Sequence, residues 1–223
     1  MREKQRAKRA PGTLIRSLRG GLPGYTIVEG SEENTEDIQK LMAGNEEYFR
    51  LVKEKLPTLE GARESYTILP PNTSREQKIF AVFYKKGKCT AVLDFIQGYP
   101  KESVGFIGLF MLAADCQGKG IGKKMFRHIR EAAEKAGLEK LRLGCYAANE
   151  PSRIFWEKTG LSACRNPEKR RTETAGAGTC IKKQKYCFTL TEKPVTIPSL
   201  TVGKIKNGYK PVNIQGFAVL FEF

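Results

Sequence analysis

Three glycines, Gly118, Gly120 and Gly122, alternate with Lys119, Ile121 and Lys123 where an apolar run gives way to a helical pattern, in LFMLAADCQGKGIGKKMF, residues 109–126. Glycine lets a backbone approach an anion closely, and the first turn of a helix presents amides that have no intrahelical partner. Lys119, Lys123 and Lys124 add charge of the matching sign. The pattern points to phosphate binding without a metal, with an ordinary glycine-rich turn as the plain alternative. A P-loop is excluded, because five residues after Gly118 stands Lys123 where a second glycine is required. The dinucleotide fingerprint fails too: three residues after Gly120 stands Lys123, and three after Gly122 stands Met125.

Other chemistry-bearing side chains are sparse. The six cysteines form no C-x-x-C pair and have no histidine in metal spacing, so they read as cytosolic thiols, and no metal site is expected. The single histidine, His128, falls off the Ile121/Met125/Ile129 stripe and reads as exposed helix surface.

The elements that must position these residues follow from patterning. At 223 residues the chain is long enough for one well-cored domain with extensions. No apolar run approaches the roughly 18 residues of a membrane span, and the N-terminus has charges but no apolar h-region, so a cytoplasmic protein is expected. The net charge of +15 is uneven: residues 1–20 are strongly basic, whereas residues 21–64 hold ten acids against five bases. Residues 1–24 read as a flexible basic leader that does not pack, with a transit peptide as the alternative. Tyr25 to Val28 reads as a strand, residues 33–43 as a helix, and Asn45 as the N-cap of a second helix. Lys78 to Tyr84 and Cys89 to Ile96 form a hairpin through KKGK, and Ser103 to Leu112 reads as a strand covered on both faces. A helix from Ile121 to Gly137, a strand through Leu141, Leu143 and Cys145, a helix over Pro151 to Lys158 and a last strand over Tyr186 to Leu190 complete an α/β or α+β layered domain over residues 25–190.

From Ser103 to Leu161 the chain resembles the GNAT superfamily of N-acetyltransferases. The family's cofactor loop, Q/R-x-x-G-x-G/A, is matched by Gln117, Gly120 and Gly122 at a strand-to-helix junction. Its second signature is matched in NEPSRIFWEKTGL by Asn149, Ser152, Phe155, Trp156, Gly160 and Leu161. The resemblance implies a mixed central sheet with a splayed strand pair and flanking helices, and acetyl-CoA as cofactor. Its pyrophosphate would lie on the loop from Gln117 to Lys123, and its pantetheine would pair with the edge of Met111, Leu112 and Ala113. The strand before the loop would splay from its neighbour at Tyr146, and Asn149, Ser152 and Trp156 would line the cofactor channel.

The implied reaction is attack of a neutral amine on the acetyl thioester, and many relatives carry a glutamate base on the strand before the loop. VGFIGLFML has no acid. Asp94, inside TAVLDFIQ, is the substitute base, since burial would raise its pKa; a hydrogen-bonded or surface-facing strand residue is the alternative. Tyr48, Glu47 and Tyr146 are candidate acceptor contacts. Trp156 stands where many relatives place a tyrosine that protonates the leaving thiol, and an indole has no such proton to give. It would wall the channel or simply pack in the core.

The acidic segment over the acceptor cleft, with Glu32, Glu33, Glu36, Asp37, Glu46 and Glu47, favours a small cationic or peptide amine. Alternatives are a tRNA-directed acetyltransferase, supported by the basic leader, RNPEKRR and KKQK, and a CoA-binding scaffold without catalysis. Residues 191–223 form an extension whose ending, FAVLFEF, suggests a strand that either docks or pairs with another subunit; the second alternative would make a homodimer.

Overall fold

The structure, a computed structural model, describes residues 12–146, 149–164, 185–190, 212–214 and 217–219. Seven strands form a sheet in the order β1-β2-β3-β4-β5-β7-β6. They are β1 (Thr26–Glu29), β2 (Lys78–Lys85), β3 (Lys88–Gln97), β4 (Val104–Leu112), β5 (Lys140–Tyr146), β6 (Leu161–Cys164) and β7 (Lys185–Leu190). All neighbours are antiparallel except β4 and β5. That parallel pair needs a crossover, which the amphipathic helix α5 (Ile121–Lys135) supplies. The sheet is therefore mixed, in agreement with the expected fold class.

Alternation along the strands divides the core in two. One face carries Ile27, Ala81, Phe83, Leu93, Phe95 and Ile107 beneath α1 (Thr13–Gly21), α5 and α6 (Glu150–Lys158). The other carries Phe80, Val82, Val92, Leu109 and Met111 beneath α2 (Thr35–Ala43), α3 (Glu46–Val52) and α4 (Leu59–Thr67). The KKGK connection is a two-residue hairpin turn with Lys86 at φ 52° and Gly87 at φ 76°, the paired positive angles that match strand twist.

Several expectations are corrected. Residues 1–11 lie outside the described residues, but residues 13–22 of the basic leader do pack: α1 buries Leu14, Ile15 and Leu18, and Leu22 follows them into the core. Its apolar residues at i, i+1 and i+4 make one helical stripe, outweighed in the sequence by basic and glycine punctuation. His128 is buried on the face of α5 that α1 covers, and its Nε2–H donates to the Leu18 carbonyl at 3.0 Å. Gly21 is required there, because a Cβ would lie 1.7 Å from the His128 ring. Helix α4 went unforeseen because its buried face is Gly61, Ala62, Ser65 and Tyr66, which is barely apolar. Strand β6 is a further element, and β7 is not the last strand. Near the C-terminus β8 (Val212–Ile214) pairs antiparallel with β9 (Phe217–Val219), so the apolar ending contributes a strand that pairs within its own chain. RNPEKRR and the first three residues of KKQK lie outside the described residues.

Candidate active site

The site begins at an irregularity in β4. In the β3–β4 register Asp94 faces Leu109 and Phe95 faces Ile107, so Gly108 is an extra residue, a β-bulge. Pairing of β4 with β5 stops at Ile107 and Leu143, the step before the bulge. Beyond it β5 stays bonded to β7 while β4 stays bonded to β3. A bulge adds local twist, which turns β4 away from β5. The two strands part between Leu143 and Tyr146, three residues earlier than expected from Tyr146 alone.

The open edge of β4 has a definite polarity. The Ala113 amide donates to the Thr90 carbonyl at 2.9 Å. Backbone groups alternate along a strand, so Ala113 and Met111 spend theirs on β3 while Leu112 and Phe110 point to the wedge. Of Met111, Leu112 and Ala113, only Leu112 offers its backbone there, and Phe110 is the residue missed. The Leu112 carbonyl already accepts from Asn45 Nδ2 and Gln117 Nε2, both at 3.1 Å. Gln117 Nε2 also donates to Asn45 Oδ1 at 2.6 Å. Asn45 precedes α3 as expected, but its side chain makes no cap; it ties α3 to the cofactor loop instead.

The loop residues separate into distinct roles. Gly118 at φ 70° and Gly120 at φ 74° take the left-handed backbone that disfavours other residues, and a Cβ on either would point into open space. Gly122 has another purpose: a Cβ there would stand 3.2 Å from Phe155. Helix α5 starts immediately after Gly120, so the amides of Ile121, Gly122 and Lys123 lack intrahelical acceptors. Lys119 and Lys123 are exposed. Next to the loop lies an open depression of about 360 Å³ that Gly120, Lys123, Lys124, Arg127, Arg130 and Lys158 line. An exposed apolar-and-amide wedge, a helix start and five cations fit a long thioester that ends in phosphates.

The channel residues of the second signature have mainly structural partners. Asn149 Oδ1 accepts from the Ser152 amide at 3.1 Å, the N-cap of α6. Trp156 is 5% exposed and packs edge-on against Phe126 and Phe155, with ring centroids 5.2 and 4.8 Å away. It is a core residue. Half-buried Phe110 and Phe155 pack against that core from the wedge side.

On the α2–α4 face, Asp94 lies beneath the bulge. A Cβ on Gly108 would be 2.5 Å from Asp94 Oδ2, so only glycine leaves room for the carboxyl. Asp94 Oδ1 is 2.9 Å from Lys78 Nζ, and both side chains are buried. Burial pushes the Asp94 pKa up, and Lys78 and Arg75 pull against that rise. Tyr48 and Tyr146 are brought together: burial raises the Tyr48 pKa most, then the neighbouring Tyr146, Cys145 and Glu54 add to it. Glu47 is engaged by Arg50 at 2.6 Å on the surface of α3.

The acids of residues 29–64 are largely spoken for. Glu29 pairs with Arg19, Glu36 with Lys40, and Glu32 and Glu60 share Arg63. Asp37 accepts from the Tyr84 hydroxyl at 2.7 Å. The charge left to attract a cation is smaller than composition implies.

Residues 43–161 match the family described as Acetyltransferase (GNAT). The chain belongs to this family and is an N-acetyltransferase with acetyl-CoA as its cofactor. Solved structures agree on the fold. An acetyltransferase from Thermus thermophilus is 18% identical, with a TM-score of 0.59 over 74% of this chain and 95% of that one. An N-acetyltransferase from Staphylococcus aureus Mu50 is 18% identical, with a TM-score of 0.52 over 74% and 97%. An acetyltransferase from Streptococcus agalactiae 2603 is 13% identical, with a TM-score of 0.53 over 75% and 98%. No curated protein sequence matches the chain significantly. No described helix is long and apolar enough to cross a membrane.

Proposed function

We propose that the protein acetylates a primary amine of a small cationic molecule or a peptide, with Asp94 as general base. The observation that carries this reading is the Asp94 carboxyl packed against Gly108, where β4 leaves β5. An amine with a pKa near 10.4 must lose a proton before it attacks, which costs about 4–5 kcal/mol at pH 7. A base at the point of attack offsets this and is worth about 10²–10⁴ in rate.

When bound, acetyl-CoA supplies the acetyl group on a thiol of pKa about 8.5, a tolerable leaving group without a donor acid. The amides of Ile121, Gly122 and Lys123 would hold its pyrophosphate, and the backbone of Phe110 with the N–H of Leu112 would receive the pantetheine along the open edge, the Leu112 carbonyl being engaged by Asn45 and Gln117. Asp94 Oδ2 takes the proton of the acceptor ammonium. Tyr48, its pKa raised by burial, stays protonated at neutral pH, and Tyr48 and Tyr146 contact the acceptor through their hydroxyls. Trp156, packed in the core, takes no part in proton transfer. The nitrogen–carbon bond would form as the carbon–sulfur bond breaks, and the second amine proton would pass to the departing thiolate.

Incubation of the protein with acetyl-CoA and a panel of polyamines, aminosugars, amino acids and peptides, with released thiol as readout, tests the reading. Release that depends on a cationic amine is expected. Release only with aminoacylated tRNA, or none with any amine, would refute it.

A further inference from the structure

We propose that Lys78 is the positioning residue for Asp94: its buried ammonium favours the charged carboxylate and holds it in one orientation beneath the β4 bulge. The inference rests on the reading of Asp94 as the base. Phe80 stands opposite Asp94 in the β2–β3 register, and Lys78 stands opposite Ile96. Lys78 is therefore the diagonal neighbour of Asp94 on the same face of the sheet. The side chains of Lys78 and Asp94 are only 3% and 9% exposed. A lysine is rarely buried to this degree without a partner, and here the partner is Asp94.

The two carboxylate oxygens have separate places. Oδ1 is 2.9 Å from Lys78 Nζ, while Oδ2 lies against Gly108. The first is anchored at the floor, so the second is aimed at the backbone where the wedge opens. The charged groups acting on Asp94 are Lys78 first and Arg75 second, and both oppose the effect of burial. Arg75 also donates from Nη1 to the Tyr66 carbonyl at 2.7 Å, so Lys78 is the closer control. Without Lys78 a carboxyl in this apolar layer would hold its proton to higher pH and would be a poorer base at neutrality. With it, the effect of burial is opposed without exposure of Asp94 to water. A pair that merely filled the core would affect stability alone.

The test compares wild type with Lys78→Met and Lys78→Arg. Asp94 is titrated directly by carboxyl 13C NMR in the protein without cofactor, with its resonance assigned by loss in Asp94→Asn. The pH dependence of kcat/KM is measured alongside, with acetyl-CoA and the best amine. Removal of the cation should move the Asp94 titration upward by about 1–3 pH units in Lys78→Met. The acidic limb of kcat/KM should move the same way, so activity is lost at pH 6–7 and recovered toward pH 9. Lys78→Arg should restore both toward wild type.

An Asp94 titration unchanged in folded Lys78→Met would overturn the inference. If that variant fails to fold, Lys78→Gln carries the same measurement with the same expected and overturning results. Wild-type turnover in Asp94→Asn would remove the base reading instead, and the NMR titration would still decide whether Lys78 governs the carboxyl.

Discussion

Gly108→Ala puts the geometry of the bulge to a quantitative test. The added Cβ would stand 2.5 Å from Asp94 Oδ2 and 3.1 Å from its Cγ. Ordinary nonbonded contacts lie near 3.5 Å or beyond, so the carboxyl or the bulge must yield by about 1 Å. The carboxyl cannot yield without stretching its 2.9 Å approach to Lys78, and both side chains are buried. Overpacking of this kind costs about 1–3 kcal/mol. In a chain of this size that corresponds to a fall in Tm of roughly 2–12 °C. Displacement of a base by about 1 Å is worth on the order of 10² in turnover. Differential scanning calorimetry and steady-state thiol release would measure the two effects in one preparation, and acetyl-CoA titration would show whether donor binding survives. The expected result is a modest loss of Tm, a large loss of kcat and donor affinity close to wild type. Wild-type Tm together with wild-type kcat would refute the packing of Asp94 against Gly108. A lower Tm with unchanged kcat would keep the packing and remove Asp94 from the chemistry.

Gly120→Val should weaken acetyl-CoA binding at least tenfold in isothermal titration, because φ 74° is unfavourable for a β-branched residue and its relief would displace the amides that open α5. Unchanged affinity would remove the loop from the cofactor site. Leu18→Ala should lower unfolding free energy by about 2–5 kcal/mol in urea, since Leu18 is fully buried between α1 and the core. An unaltered midpoint would mean that α1 does not dock. A truncation through residue 20 accordingly removes core as well as positive charge.

The family and the cofactor loop were legible in the sequence because they depend on local chemistry. A glycine-rich turn and the amphipathic period of α5 are each encoded within a few residues, and each stands where the spacing placed it. Strand order along the hairpin β2–β3 was readable for the same reason. Asp94 could be singled out as an acid in an apolar strand, but its partner could not. Lys78 is 16 residues away and looked like an ordinary strand start; only pairing of β2 with β3 makes the two diagonal neighbours on one face. His128 read as surface because a helix face is polar or buried according to what covers it, and the cover is α1, more than a hundred residues earlier. The same holds for Asn45, whose N-cap spacing is local but whose hydrogen bonds go to Leu112 and Gln117. Which backbone groups face the wedge, and where β4 and β5 part, was settled by one inserted residue in the register, Gly108. Local pattern determines which residues can bind and bend; the pairing of distant strands determines which of them meet, because burial and charge pairing are properties of neighbours in space.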